Sequence, residues 1–275
     1  MGSWGRRGKG ALALALVLAG RAGAQATLPT DDSWTLEGSK GGYCIRYLAD
    51  PVLARELVPK SASLVPAGSG GDLPILLAGT IKEEPKFAQW VPGAICIGFY
   101  QRVISAGHTI AQARSRPIMI ATNSIAAQAA HGVPGANQYL IDFMTDDRSV
   151  ASAADRIGVD MSAIEMVKKT HVEGDDPTVT ISFAGVKINW SGHAVADSSV
   201  GKTHSVSFGY GGPKSAAWLV TNESTPQSAR LMVAVLWVEG KNSFAKVLQT
   251  SPVRAIGPEE RGGSATLTFH AVTRK

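Results

Sequence analysis

Apolar and polar residues alternate along YCIRYL (43–48), which predicts a strand, and Asp50-Pro51 directly after it predicts the start of a short helix. Asp50 suits the N-cap and Pro51 the first helical position; Leu53 and Leu57 fall on one face, and Pro59 ends the run. LVPAGSGGDLP reads as a loop, PILLAGTI (74–81) as a strand and AICIGFYQRVI (94–104) as a stronger one. From Ser105 to Gln138 the chain is rich in alanine, serine and glycine, and periodicity leaves two readings open: a helix on either side of Pro117, or a strand at Ile118 to Ala121.

YLIDFMT (139–145) reads as a strand, and Asp147 to Ile157 as a helix with Val150, Ala153, Ala154 and Ile157 at helical spacing. Strands follow at about 164–172, then at TVTISFA, VKINWSG, AWLVT, ARLMVAVLWVE and ATLTFHAV, between glycine- and proline-bearing turns. Many strands in the second half, with short helices confined to the first, predict one α+β domain over 43–275 whose curled, mostly antiparallel sheet bends or closes like a barrel. Residues 27–42, polar and turn-rich, read as a flexible, partly ordered leader.

The first 26 residues have a different character. Arg6, Arg7 and Lys9 precede the apolar run ALALALVLAG and the small-residue sequence Ala24-Gln25-Ala26, the pattern of a signal peptide cleaved after Ala26. The run is shorter than the ~20 residues a spanning helix needs, so the expectation is a secreted or periplasmic protein with no membrane anchor. Removing this leader takes four basic side chains and no acidic one, and the formal charge falls from +5 to +1. A basic surface for nucleic acid or anionic lipid is therefore not expected. A homo-oligomer is compatible with the sequence.

Two cysteines, Cys44 and Cys96, sit on predicted strands, and in an oxidising compartment the expectation is a disulfide between them. Metal chemistry has little support. His193, Asp197 and His204 form the densest cluster of ligand types, without zinc-site spacing, and neither CxxC nor HExxH occurs. No GxSxG nucleophile elbow is present, and GSGG and GYGG lack both the P-loop lysine and a dinucleotide spacing, so no metal and no cofactor is expected. The scattered tryptophans and tyrosines suit core packing or a ligand pocket inside the curl.

The pair Lys168-Lys169 in IEMVKKTH remains. Strand neighbours point to opposite faces, and Lys168 shares its face with Ile164 and Met166, so Lys168 is the expected inward lysine and Lys169 the outward one. A lysine that snorkels to solvent from the strand's end is the plainer alternative.

Several short motifs together resemble the acetoacetate decarboxylase family. Ile45, Tyr47, Asp50, Arg55, Val58 and Pro59 stand at the spacing of that family's first strand and helix; Tyr139-Leu140, Asp146, the helix with Arg156, Val167-Lys168-Lys169 and Pro252-Val253 follow in its order. The resemblance implies a lyase that removes carbon dioxide from a β-keto acid or related small carbonyl compound. Lys168 would form the Schiff base and Lys169 would be its cationic neighbour. It also implies a carboxylate-binding role for Lys40, which stands at a basic position before the first strand, and it puts Arg102 where the family carries a glutamate. That replacement favours the alternative of an inactive relative that binds a small apolar or carboxylated ligand. A lysine of ordinary pKa near 10.4 is neutral only about 0.04% of the time at pH 7, and half-neutrality requires a depression worth roughly 4.6 kcal/mol. A second ammonium ~10 Å away supplies about 1.7 kcal/mol at an effective dielectric of 20, so desolvation must supply the rest.

Overall fold

In the computed structural model the described residues are 31–69, 73, 75–128, 136–164, 168–172, 176–183, 185–198, 202–211, 216–226, 228–256 and 259–272, and the side chains at 31, 75–76, 168–179, 193–198, 210–216, 230–233 and 254–261 are outside the description. The expected signal peptide also lies outside it. In chain order the first elements are β1 (Asp31–Glu37), β2 (Gly42–Ala49), α1 (Pro51–Leu57), β3 (Ser63–Leu64), α2 (Ile75–Glu83), β4 (Val91–Tyr100), β5 (Arg102–Ser105), β6 (His108–Gln112) and β7 (Ile118–Gln128). Then come β8 (Gln138–Thr145), α3 (Arg148–Arg156), β9 (Ser162–Ala163), β10 (Lys168–Val172), β11 (Asp176–Phe183), β12 (Val186–Ser198) and β13 (Thr203–Gly211). The last are β14 (Ala216–Thr225), β15 (Ser228–Glu239), α4 (Ser243–Thr250), β16 (Arg254–Ile256), β17 (Glu259–Arg261) and β18 (Ser264–Val272). The fold class is α+β, as the patterning predicts.

The ladders make one long curled sheet. From β6 it runs through β5, β1, β18, β14, β13, β8, β7 and β4 to β2. It continues through β16 and β17 to β15, β12, β11 and β10. Pairing is antiparallel except where β8 meets β13 and β9. Among the described residues no ladder joins the two ends, so the sheet curls without closing.

Three expectations change. Residues 31–37 are strand and not leader: Trp34 and Leu36, two residues apart, are buried at 1% exposure, and Trp34 meets Phe269 edge-on at 5.0 Å. The segment at 74–81 is largely helix α2 and not strand, because its apolar run does not alternate; Leu77 turns inward to join Phe87 and Leu48. Helices also extend into the second half, where α4 opens on Asn242, whose side chain accepts from Ala245 N at 2.8 Å, and buries Phe244, Ala245, Val247 and Leu248. The open segment 105–138 holds strands β6 and β7. The first helix is as expected, with Asp50 accepting from Val52 N at 2.8 Å; so is α3, capped by Asp147.

Strands β2, β4 and β7 form a wall buried on both sides. Pleating sends Tyr43, Ile45, Tyr47, Ile95, Ile97, Phe99, Met119 and Ala121 to one face, where Ile188, Trp190, Phe244 and Leu248 complete the largest core. Tyr43 meets Trp190 edge-on at 5.5 Å, an arrangement worth ~0.5–1.5 kcal/mol beyond area burial. The opposite face carries Cys44, Arg46, Cys96, Gly98, Thr122 and Ser124 toward β13, β14 and β18. A second core of Trp34, Leu36, Val103, Phe143 and Phe269 caps that side.

Candidate functional site: a pocket behind the central wall

The second face of the wall and the strands curled over it enclose a pocket of about 690 Å3. Such a volume suits a small molecule, for which pockets of ~300–1,000 Å3 are usual. Its near wall carries the disulfide between Cys44 and Cys96, which stand opposite each other in the β2–β4 ladder. Two residues beyond Cys44, on the same side of β2, lies Arg46. Tyr100 folds back over Gly98, where a Cβ would fall 2.4 Å from the phenol oxygen; only glycine leaves room for that ring on the pocket floor. The far wall mixes Ser205 and Ser207 on β13 and Asn222 and Ser224 on β14 with Val206, Val220, Ala265 and Leu267. Asn222 Oδ1 is buried there without a hydrogen-bond partner.

Arg46 dominates the electrostatics. Burial pushes its pKa down, and no carboxylate pairs with it among the described residues. A guanidinium stays protonated in proteins, so this one remains a half-buried cation with its donors toward the pocket. A second cleft of about 440 Å3 shares Arg46, Ala94, Ser124, Asn137 and Gln138 with the first and passes beneath α2, walled by Val65, Pro66, Leu73, Leu77, Pro92 and Ala126.

On the core side of the wall a polar string crosses three strands. Tyr47 donates to Asn123 Oδ1 at 3.1 Å, and Asn123 Nδ2 donates to Asp142 Oδ2 at 2.9 Å. The bulge between Asn123 and Ser124 brings Asp142 opposite Asn123. Burial raises the pKa of Asp142, and the Asn123 hydrogen bond opposes this only in part. The Tyr47 phenol is pushed upward by burial and then by the Asp142 charge.

The residues singled out from the sequence do not meet at one place. Lys40 is exposed and its backbone pairs with Phe99. Arg102 is exposed on β5, where its Nε donates to Glu37 at 2.9 Å. Neither lines the pocket. Cys44 and Cys96 do line it, as a disulfide. His204 is exposed at the pocket's rim, 3.7 Å from Glu223, while the side chains of His193 and Asp197 lie outside the described residues.

Lys168 and Lys169 begin β10, at the end of the sheet, and their side chains are likewise outside the described residues. The register still orders the rows. Lys168 stands opposite Thr180, which stands opposite Asn189 and then Trp237, 54% exposed. Lys169 stands opposite Val179, then Trp190 and Leu236, both buried.

Arg46 escaped the sequence reading. Its signal was a charged residue inside the alternating strand, on the face opposite Tyr43, Ile45 and Tyr47, and alternation alone does not separate a pocket from solvent.

Fold and pocket together define an α+β protein whose curled sheet encloses a chamber of small-molecule size. No protein-family model and no curated protein sequence matches the chain. Among solved structures it is similar to an acetoacetate decarboxylase, with 12% identity, a TM-score of 0.49 and coverage of 87% of this chain and 86% of the other. It is similar to the acetoacetate decarboxylase of Legionella pneumophila at 11% identity and a TM-score of 0.48, covering 87% and 84%. An acetoacetate decarboxylase-like enzyme from Sphingomonas wittichii RW1 matches at 11% and 0.49, covering 90% and 93%.

The polar string gives a pH prediction. With its pKa above the ordinary aspartate value, Asp142 keeps a proton in the fold at pH values where the unfolded chain has lost it. Its contribution to stability is therefore full below the ordinary value and is lost as pH rises through the folded one. Asp142→Asn keeps an oxygen for Asn123 to donate to and removes the titration. In urea denaturation the stability of the variant relative to wild type should rise from pH 4 to pH 7; a difference that stays constant with pH would show that Asp142 titrates normally.

Proposed function

We propose that the protein binds a small carboxylic acid in the pocket behind β2, β4 and β7, with Arg46 receiving the carboxylate. The observation that carries this reading is a half-buried guanidinium on a pocket wall with no acidic partner among the described residues. A desolvated cation is costly until an anion of matching geometry arrives, and a bidentate carboxylate supplies both charge and acceptors. The disulfide two residues away ties β2 to β4 and fixes the strand that presents Arg46. Arg46→Met keeps an apolar stem and removes the charge; carboxylate binding measured by isothermal titration should weaken by about 2 kcal/mol or more, some 30-fold. Equal affinity in the variant would end the proposal.

A second reading, which we propose beside the first, is the Schiff-base lyase that the sequence resemblance implies, with Lys168 as nucleophile and Lys169 as its cationic neighbour; the two lysines open strand β10, paired to β11 at Thr180 and Val179. In that chemistry a neutral lysine amine adds to the ketone of a β-keto acid and water leaves, giving an iminium. The iminium takes up the electron pair as carbon dioxide departs, the enamine is protonated, and hydrolysis frees the lysine. Borohydride reduction in the presence of a β-keto acid should fix an adduct that peptide mapping assigns to Lys168. An adduct on Lys169 would reverse the assignment, and no adduct would leave the binding reading alone.

We also place the protein outside the cytoplasm. Its basic and apolar leader and its disulfide support this. The mature chain from the native host should begin at Thr27 on N-terminal sequencing, and recovery of the chain starting at Met1 would contradict it.

A further inference from the structure

The carboxylate site opens in two directions, and their chemistry differs. We infer that the acid held at Arg46 carries an aliphatic tail that lies in the cleft beneath α2, making the ligand class a medium-chain monocarboxylic acid. The inference rests on the carboxylate reading above. Arg46, Ala94, Ser124, Asn137 and Gln138 line both cavities, so they form the neck between them. On one side the walls interleave Ser205, Ser207, Asn222 and Ser224 with Val220 and Leu267, and an alkyl chain there would strip the polar groups of water without offering hydrogen bonds in return. On the other side the walls are Val65, Pro66, Leu73, Leu77, Pro92 and Ala126.

Charge places the anionic group at the neck, since Arg46 is the one Asp, Glu, Lys or Arg residue in either described lining, and the apolar wall gives the tail its direction. Arg46 is the one charged residue among the described residues that line the cleft, so the complementary ligand has one anionic group at the neck and no charge beyond it. Ala94 on β4 and Ala126 on β7 keep the floor low, and Leu73 and Leu77 form the roof. At about 440 Å3 the cleft is within the size range of small-molecule sites, and a tail there exchanges water for apolar wall. A short keto acid would leave that wall in water; an acid with a longer tail would cover it.

The test is a chain-length series, from acetate through butanoate, hexanoate and octanoate to decanoate, titrated calorimetrically into the mature protein. Affinity should rise about fourfold per methylene, the equivalent of ~0.8 kcal/mol, until the cleft is filled. Ala126→Trp puts an indole on the cleft floor and should flatten that slope. Leu73→Trp does so from the roof and serves if the first variant does not fold. A flat series with wild-type protein, or a slope that survives both substitutions, overturns the tail assignment while Arg46-dependent binding of every acid keeps the carboxylate reading. Absence of Arg46-dependent binding at any chain length overturns both.

Discussion

The architecture depends on a wall of three strands that is buried on both faces. In β2, β4 and β7 the pleat divides each strand between two interiors: Tyr43, Ile45 and Tyr47 against the Trp190 core, and Cys44 and Arg46 against the pocket. A slip of one residue would drive Arg46 into the apolar core and Ile45 into the polar chamber, so both interiors enforce a single register. The Cys44–Cys96 bond locks that register covalently, joining positions already opposite in the ladder. On the chain-entropy model, closing a loop of 52 residues stabilises by about 4 kcal/mol.

Consequences spread from this wall in both directions. On the core side Tyr47 spans from β2 to Asn123 and on to Asp142, so a run of polar groups ties β2, β7 and β8 through the interior. Each member is costly to bury alone and is satisfied by the next. On the pocket side β4 stays short of side-chain bulk at Ala94, where the pocket and the cleft meet, and at Gly98, where the Tyr100 ring takes the room. The site is a by-product of small residues on one face and large ones on the other.

How much was legible in the sequence follows from this division. Strands with one apolar face announced themselves: β2, β4, β8, β11 and β18 fall where alternation put them, and Asp50 and Asp147 marked two helix starts through their capping chemistry. β7 was ambiguous because both of its faces are buried, which erases alternation: eight of the eleven residues in its burial pattern are buried. The β5–β6 hairpin hid because its turn is Ala106-Gly107, with both residues at positive φ, whereas Asn-Gly or Asp-Gly would have signalled it. β1 and α4 were missed for opposite reasons: the apolar pair of β1 is embedded in aspartate and serine, and the 3.6-residue pattern of α4 is only two turns long. The disulfide was readable from two cysteines on predicted strands, but Arg46 was not readable as a site, since pocket-facing and solvent-facing charges look alike in a strand.

The two functional readings make different chemical demands. A Schiff base needs a lysine that gives up its proton near neutral pH, which an apolar interior favours because burial penalises the ammonium. A carboxylate receptor needs a cation that never gives up its proton, and burial that lowers the pKa of an arginine still leaves it charged. On the pocket side Arg46 is a permanent cation of this second kind, half-buried on the strand that the disulfide fixes. Burial thus acts in opposite senses on the two groups: it makes an amine reactive by taking its charge away, and it makes a guanidinium a receptor by leaving the charge in place and removing its water.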